Sequence, residues 1–316
     1  MVPEMRQGRR YRSMLFMPGH KLDWMLKAGK FGADALIFDL EDAVPVPLKA
    51  AARETVGQAL TELRDAPYGR FVRVNGWTTG HFLADVQAVV REGLDGIILA
   101  KADDATQVAA LDLVLGELEM SMGLPLGRIE IVPTSEGAHG MYSVFDICMT
   151  SPRIKRAGSV IVAVPGGDPI RALDLRISAD GHEYLFYGAQ QVMGVRAAGV
   201  PYVLGGMSTE LEDLDLVRRI HTVARDMGAL GSMCIHPKHV PILNEVYAPT
   251  SEEVEEAKEI LNLMADAVAR GEAAVRFKGR MVDYAHVRQS LVLLKQAESL
   301  GMDVGVIPEV AVLSFA

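Results

Sequence analysis

The sequence predicts a (β/α)₈ barrel followed by a C-terminal helical arm, the α/β class, on three observations. Short β-favouring runs recur along the 316 residues, their number is eight, and stretches with helical periodicity separate them. Alternating strands and helices predict parallel strands with crossover helices. Several runs are continuously apolar, which is typical of strands covered on both faces.

The predicted strands and helices follow one another along the first 248 residues. The strands lie in SMLFMPG, ALIFDLED, RFVRVNG, GIILAK, IEIVPTSEG, SVIVAVPGGD, PYVLGG and GSMCIHP. Helical spacing is clearest in PLKAAARETVGQALTELRDA and DLDLVRRIHTVARDMGAL. An open doubly wound sheet is the competing architecture, but FMPGHKLDWM after the first strand has one glycine and lacks the G-x-G-x-x-G pattern. The barrel is therefore favoured.

Residues 249–316 form the predicted arm. SEEVEEAKEILNLMADAVARG predicts a helix with Ser251 as N-cap and early glutamates suited to its positive end, and YAHVRQSLVLLKQAESLG predicts a second helix. The arm is too short to be a domain of its own. We expect it to pack on a neighbouring subunit or back on the barrel.

Composition favours a small-molecule partner. The formal net charge is −9, with 41 acidic and 32 basic residues, so there is no basic surface that predicts nucleic-acid binding. No apolar run approaches the roughly 18 residues of a membrane helix, and the basic start RQGRRYR runs directly into the first strand, which disfavours a transit peptide. Cys148 and Cys234 are predicted to be buried free thiols, and we expect a cytoplasmic protein.

Charged and polar residues follow most predicted strands. In (β/α)₈ barrels the active site lies at the carboxyl ends of the strands, so these side chains are expected to meet at one mouth. Acids and glycines are also ordinary turn residues, and chance remains an alternative. The strand-end residues are Asp39, Glu41, Asp42, Arg73, Asn75, Lys101, Glu136 and Asp168.

Glu136 and Asp168 end adjacent predicted strands, so both carboxylates can face one divalent ion. Mg²⁺ prefers oxygen ligands and is often held by one or two carboxylates with water and substrate. A helix-start carboxylate and a simple Gly-Asp-Pro turn are the alternatives. Arg73 is suited to two parallel hydrogen bonds with a substrate oxyanion, and an ion pair with a mouth acid is compatible with that role.

Several segments strongly resemble the citrate lyase beta-subunit-like family of the aldolase and citrate lyase superfamily. They are RSMLFMPGHK, GADALIFDLEDAVPVPLKAAAR, VRVNG, SEGAHG and CIHPKHVPILNEVYAPTSEEVEEA, and the resemblance spans nearly the whole chain. It implies a (β/α)₈ barrel whose arm is exchanged within a homo-oligomer, a trimer or a multiple of three. It also implies Mg²⁺-dependent cleavage or formation of a carbon–carbon bond in a 3-hydroxyacyl thioester such as malyl-CoA, methylmalyl-CoA or citramalyl-CoA.

The resemblance also implies residue roles. Glu136 and Asp168 would bind the metal, Arg73 would stabilise the enolate or the oxo-acid carboxylate, and Asp283 would be presented by the arm to a neighbour's active site. A helix N-cap is the alternative for Asp283.

The sequence pattern predicts roles for further residues. Glu41 and Asp42 would hold metal-bound water, handle a proton, or pair with Arg73 and Lys101. The expected substrate and CoA contacts are Arg12, His20, Lys21, Asn75 and Lys101 beside Arg73, with scattered surface charge as the alternative for the basic residues near the first strand.

The leading functional prediction is a lyase releasing a short acyl-CoA and a 2-oxo acid. A thioesterase on the same substrates follows closely, and a citrate lyase subunit acting on an acyl-carrier protein, a non-catalytic CoA-ester binding protein and a free-acid aldolase remain open. His20, His139 and Pro169 depart from the family pattern, as does the lack of an aspartate in YVLGGMSTELEDLD. These departures leave the acyl group and the second step undetermined. His139 is either a proton carrier or a satisfied loop histidine.

Overall fold

The computed structural model describes residues 4–161, 166–178 and 182–308. In these ranges the strands are β1 (Ser13–Pro18), β2 (Ala35–Asp39), β3 (Gly69–Val74), β4 (Gly96–Leu99), β5 (Glu130–Pro133), β6 (Arg156–Ala157), β7 (Tyr202–Val203), β8 (Ser232–Cys234), β9 (Ala274–Phe277) and β10 (Arg280–Asp283). The helices are α1 (Leu22–Lys27), α2 (Lys49–Glu62), α3 (Phe82–Val89), α4 (Ala105–Ser121), α5 (Ala138–Tyr142), α6 (Val144–Met149), α7 (Asp168–Leu173), α8 (Glu183–Ala197), α9 (Leu214–Asp226), α10 (His239–Val246), α11 (Ser251–Ala269) and α12 (Tyr284–Ser299).

The chain divides into two compact units, Met1–Tyr247 and Ala248–Ala316. The first unit contains the parallel strands and the second contains α11, the β9–β10 hairpin and α12. None of the helices in the described ranges combines the length and apolar character needed to cross a lipid bilayer. Both cysteines are buried free thiols, as predicted.

The parallel strands of the first unit form a barrel. Six of them pair in the order β5-β4-β3-β2-β1-β8, and β6 pairs with β7. The ring is completed by a parallel bridge between Leu204 and Gly231, which joins β7 to β8, and by a hydrogen bond from Ile131 N to Arg153 O beside β5 and β6. The predicted (β/α)₈ architecture is confirmed.

The sixth strand is shorter and begins earlier than SVIVAVPGGD predicts. β6 spans Arg156–Ala157, and the chain then continues alongside β7, where Val160 N donates to Leu204 O and Ile161 N donates to Gly205 O. Residues 162–165 of the predicted strand lie outside the described residues. The structure describes the chain again from residue 166. Asp168 is the first residue of α7 rather than the last residue of a strand.

Alternation along the strands separates the barrel interior from the layer beneath the helices. The interior cluster includes Met14 on β1, Ile37 on β2 and Phe71 on β3. Because side chains repeat every two residues, the next inward positions toward the carboxyl ends are Phe16, Asp39 and Arg73. Strand register pairs Asp39 with Arg73 directly. The backbone pattern thus brings an acid and a base to the mouth from neighbouring strands.

The amino end of the barrel is closed by a buried ion pair. Arg156 is fully buried, donates from Nε to Oε1 of Glu130 at 2.6 Å, and lies 4.4 Å above the ring centroid of Tyr11. Glu130 is the first residue of β5 and Tyr11 precedes β1, so this cluster fills the end opposite the mouth. Chemistry with a substrate is therefore confined to the carboxyl end.

The helix α11 begins one residue earlier than its predicted cap implies. Its N-cap is Thr250, whose hydroxyl accepts from Glu253 N while Glu253 Oε2 accepts from Thr250 N at 2.8 Å, and Ser251 is the first helical residue. The Ser251 cap prediction is wrong because the capping box requires the hydroxyl three residues before Glu253. In the same unit, β9 and β10 form a hairpin through Lys278 and Gly279, both with positive φ, as a tight two-residue turn requires.

Candidate active site at the barrel mouth

A cavity of about 510 Å³ opens at the carboxyl ends of the strands. Its wall is apolar where Val144, Ile147 and Met207 line it, and charged where Arg73 and Glu136 do. Such a mixture suits a ligand with an alkyl portion and an anionic portion.

Arg73 is fixed by Asp39. Its Nε and Nη2 donate to the two carboxylate oxygens of Asp39 at 2.7 and 2.6 Å, and its guanidinium lies 4.7 Å from the ring centroid of Phe16. Asp39 is 1% exposed and also accepts from the backbone N–H of Glu41 and of Ala43. Burial alone would lower the pKa of Arg73, but the hydrogen bonds and charge of Asp39 raise it above its ordinary value. The arginine therefore stays charged, with N–H groups left for a substrate oxygen.

Glu41 joins Arg73 to Lys101. Lys101 Nζ donates to Glu41 Oε1 at 2.7 Å, and Arg73 Nη1 lies 3.1 Å from Glu41 Oε2. That Oε2 atom accepts no hydrogen bond from the described residues, so its contact with Arg73 is electrostatic only. Lys101 itself adopts a left-handed backbone with φ of 53°, which is strained for a residue with a side chain.

Lys101 is also close to two further acids. Its Nζ lies 3.7 Å from Asp42 Oδ2 and 3.8 Å from Asp168 Oδ2. Asp42 lines the cavity and its side chain is 68% exposed.

Glu136 and Asp168 line the same cavity and influence each other's pKa. Burial and the nearby charges of Glu41 and Asp168 raise the pKa of Glu136 to about 7, against the opposing effect of Lys101 and Arg73. The hydrogen bonds from Arg171 lower the pKa of Asp168. Glu136 is therefore the less acidic of the two carboxyl groups.

This carboxyl pair fits a divalent cation. Two acids that line one partly buried cavity repel when both are ionised, and a divalent cation bound by both would remove this repulsion. Among the described residues there is no group of three or more acidic, histidine or cysteine side chains arranged to hold a metal, so the remaining ligands would be water and substrate.

The loop that carries Glu136 is held by Asp103, a residue that the sequence analysis missed. Its carboxylate accepts from Glu136 N at 3.1 Å and from Gly137 N at 3.0 Å. A Cβ on Gly137 or Gly140 would lie 2.4 or 2.3 Å from an oxygen of Asp103, so both glycines are required for the close approach. The signal was the acid pair in AKADDAT after the fourth strand, of which Asp104 is the N-cap of α4.

His139 lies in the same loop and is exposed. Its Nδ1 is 2.8 Å from the carbonyl oxygen of Asp103, which gives the ring a local partner. Of the two alternatives for His139, this contact supports a loop histidine whose hydrogen bond is satisfied rather than a proton carrier.

Comparisons with known proteins give the family of the chain. The family model for HpcH/HpaI aldolase/citrate lyase matches residues 12–237. The chain belongs to this family. It is a carbon–carbon lyase by class, as the sequence predicts.

Relatives in this aldolase/citrate lyase family cover nearly all of the chain. An L-malyl-CoA/beta-methylmalyl-CoA lyase from Cereibacter sphaeroides is 30% identical over 92% of this chain and 95% of its own length. A citrate lyase subunit beta from Leuconostoc mesenteroides is 29% identical over 93% of this chain and 96% of its own. The solved structure of CitE from Mycobacterium tuberculosis with magnesium, acetoacetate and coenzyme A is 25% identical, with a TM-score of 0.68 over 90% of this chain and 97% of that one.

The residues predicted to bind substrate divide into two groups. Arg73 lines the cavity and Lys101 is bonded to Glu41 beside it. Asn75 is buried, with Nδ2 donating to Leu40 O and Asp85 Oδ2 and with Oδ1 accepting from Lys49. Its side chain is thus engaged in the scaffold behind the mouth.

Of the three basic residues near β1, Arg12 lies apart from His20 and Lys21. His20 and Lys21 follow β1 at the mouth end, where burial and the charge of Lys21 lower the pKa of His20 and its Nδ1 has no partner among the described residues. Arg12 precedes β1, at the amino end, and is paired with both oxygens of Asp34. This position, at the end of the barrel opposite the mouth, does not favour the CoA contact of Arg12, which stays a prediction.

Asp283 belongs to the second unit and is the N-cap of α12. Its Oδ1 accepts from Ala285 N at 2.9 Å and lies 2.9 Å from Nδ1 of His286, a contact that lowers the pKa of Asp283. The geometry is that of the capping alternative, and the side chain is exposed. Presentation of Asp283 to a neighbour's site stays a prediction.

Proposed function

We propose that this family member is a Mg²⁺-dependent lyase that cleaves a 3-hydroxyacyl-CoA of the malyl-CoA, methylmalyl-CoA or citramalyl-CoA class into a short acyl-CoA and a 2-oxo acid. One observation carries the proposal: the carboxyl groups of Glu136 and Asp168 and the fixed guanidinium of Arg73 line one cavity. Relatives named as malyl-CoA lyase and citrate lyase subunit beta support the substrate class.

The charge balance at the mouth supports a metal. Burial and the charges of Glu41 and Asp168 raise the pKa of Glu136, so the ionised form of this acid is unfavourable without a cation, and a divalent ion would offset that effect. Glu136 and Asp168 would hold Mg²⁺, which when bound supplies a Lewis acid for the substrate hydroxyl and carboxylate oxygens.

The chain's own residues would stabilise the charge that the reaction develops. Cleavage transfers the electron pair of the carbon–carbon bond toward the thioester carbonyl, whose oxygen becomes an enolate oxygen. Arg73 would donate to that oxygen from the N–H groups not used by Asp39, and a fixed donor lowers such a barrier because it needs no reorganisation. Asp39 orients the arginine, and Lys101 holds the carboxyl group of Glu41 beside it.

Proton transfers would use the mouth acids. The hydroxyl proton leaves as the new carbonyl forms, and the enolate carbon takes up a proton to give the acyl-CoA. Asp39 is fully engaged by Arg73, whereas Glu41 lies beside both Arg73 and Lys101 and Asp42 lies 3.7 Å from Lys101 Nζ. Asp283 would act here only if an arm reaches the mouth of another subunit, which remains part of the oligomer proposal.

The test is turnover of malyl-CoA, methylmalyl-CoA and citramalyl-CoA with Mg²⁺ or with a chelator, with products identified by mass spectrometry. We expect acetyl-CoA or propionyl-CoA with glyoxylate or pyruvate, lost in Glu136→Ala and Asp168→Ala. Glu117→Gln on the exposed face of α4 is the control and retains turnover. Free CoA with an intact hydroxy diacid would instead establish a thioesterase, and no turnover of any ester would refute the proposal.

A further inference from the structure

Arg171 is a cation of the mouth to which neither the sequence pattern nor the family resemblance assigns a role. It lies three residues after Asp168 on α7, so both side chains share one face of the helix. It lines the same cavity as Arg73 and Glu136. The segment GDPIRALDL that contains it is one of the places where this chain departs from the family pattern.

Arg171 is the least constrained of the three mouth cations among the described residues. Arg73 is held by both oxygens of a buried carboxylate, and Lys101 by a hydrogen bond to the buried Glu41. In contrast, the Nε and Nη2 atoms of Arg171 share the single Oδ1 atom of Asp168, at 3.2 and 3.0 Å, and the side chain is 78% exposed. An exposed pair of this kind is weak, so the guanidinium can change its partner at little cost.

Its present partner is also a proposed metal ligand. A cation bound by Glu136 and Asp168 takes up much of the negative charge that now holds Arg171, and it adds a positive charge beside the guanidinium. An anionic group of the substrate that faces both positive charges would remove this repulsion. The planar fork of an arginine is matched to a carboxylate.

We infer that Arg171 binds the carboxylate of the 2-oxo-acid portion of the substrate, and so selects acyl groups that bear this carboxylate. The inference rests on the proposed function. It makes Arg171 a specificity-determining residue: the charge of the substrate, rather than its carbon skeleton alone, is recognised at the α7 side of the cavity.

Equilibrium binding separates this role from a structural one. Pyruvate and its uncharged analogue pyruvamide would be titrated, by calorimetry with Mg²⁺ present, into the wild type, Arg171→Gln, Arg171→Lys and the control Arg176→Gln. Arg176 is an exposed residue of the same segment and lies outside the described lining of the cavity. Binding of acetyl-CoA would also be measured for each variant. Binding of Mn²⁺ would be followed through the electron spin resonance signal of the free ion.

The loss expected in Arg171→Gln is about tenfold or more in pyruvate affinity, the scale of one charge-assisted hydrogen bond, with pyruvamide unaffected. Arg171→Lys would recover part of the loss because it restores the charge without the fork. Affinity for Mn²⁺ would be unchanged or higher, since Asp168 loses a competing cation, and Arg176→Gln would match the wild type throughout.

Three results would overturn the inference. Equal losses for pyruvate and pyruvamide would mean that the carboxylate is not what Arg171 recognises. A loss confined to acetyl-CoA would assign it to a CoA phosphate, and weaker Mn²⁺ binding as the only change would assign it to the orientation of Asp168. Failure of the wild type to bind pyruvate with Mg²⁺ would instead refute the proposed function from which the inference starts.

Discussion

Glu136 shows how a single carboxyl group links protonation to metal binding. Burial beside Glu41 and Asp168 makes its charged form unfavourable when the site holds no cation, and this raises its pKa to about 7 from an ordinary 4.5. The folded protein therefore binds a proton that the unfolded chain releases. The stability that this proton confers is present below about pH 4.5 and is lost as the pH rises through about 7.

We predict that Glu136→Gln removes this pH dependence in the presence of a chelator. The amide stays neutral, so above pH 7 the variant should exceed the wild type in free energy of unfolding by about 1 to 2 kcal/mol, a value reduced for the partial exposure of the group. Urea denaturation from pH 5 to pH 8 measures it, with the exposed Glu54→Gln on α2 as control. Wild-type and variant curves that stay parallel would contradict the prediction.

Asp39 shows the opposite case, a buried acid that is fully paired. We predict that Asp39→Asn lowers the free energy of unfolding by about 3 kcal/mol, because it removes the carboxylate that holds Nε and Nη2 of Arg73 and leaves the buried guanidinium only its electrostatic contact with Glu41. Asp42→Asn, at the exposed end of the same loop, should change stability by less than about 0.5 kcal/mol. Denaturant midpoints measure both, and similar effects of the two variants would show that the Asp39–Arg73 pair contributes little.

At the scale of elements, the position of Glu136 depends on the loop after β5 and on the start of α5. Gly137, which follows Glu136, is the N-cap of α5, and Gly137 and Gly140 let the carboxylate of Asp103 reach the backbone N–H groups of the loop. The loop after β4 thereby fixes the position of the loop that carries Glu136.

We predict that Gly140→Ala costs about 1 to 3 kcal/mol, since its Cβ would lie 2.3 Å from Oδ1 and 2.5 Å from Cα of Asp103. It should also weaken Mn²⁺ binding by displacing the loop of Glu136. Gly116→Ala, inside α4 with its nearest neighbour 3.5 Å away, is the control and should be neutral or stabilising. Unchanged Mn²⁺ affinity in Gly140→Ala would mean that this loop does not position the metal site, which would contradict the prediction.

A second prediction at this scale concerns the start of α11. Thr250→Ala should lower stability by about 1 kcal/mol because it removes the side-chain acceptor of the capping box. Ser251→Ala should be within about 0.5 kcal/mol of the wild type, because Ser251 is already helical. Thermal or urea unfolding distinguishes them, and a larger loss in Ser251→Ala would restore Ser251 as the cap.

At the scale of the whole molecule, a bound divalent ion should stabilise the folded state by mass action. At a Mg²⁺ concentration about 100 times Kd the gain is about 2.7 kcal/mol, which appears as a rise in Tm of several degrees. We predict this rise in the wild type, its absence in Glu136→Ala and Asp168→Ala, and its weakening below pH 7 as Glu136 takes up a proton. Differential scanning fluorimetry with Mg²⁺ and a chelator measures it. An equal rise in both alanine variants would locate the ion elsewhere.

The sequence by itself determined the barrel, because eight β-favouring runs separated by amphipathic helices leave few other ways to bury both faces of the strands. It also determined that the acids and bases at the ends of those strands converge, since parallel strands bring their carboxyl ends to one mouth. Arg73 and Glu136 could be named for this reason.

Only the tertiary structure decided which partner each of these side chains has. The pairing of Arg73 with Asp39 depends on the register between β2 and β3, and the pairing of Glu136 with Asp168 depends on where the chain after β6 returns to the mouth. Asn75, one residue beyond β3, is engaged by Lys49 and Asp85, and Arg12 lies at the opposite end of the barrel. Periodicity gives the face on which a side chain lies, but hydrogen bonds between residues distant in sequence are set only when the ring of strands closes.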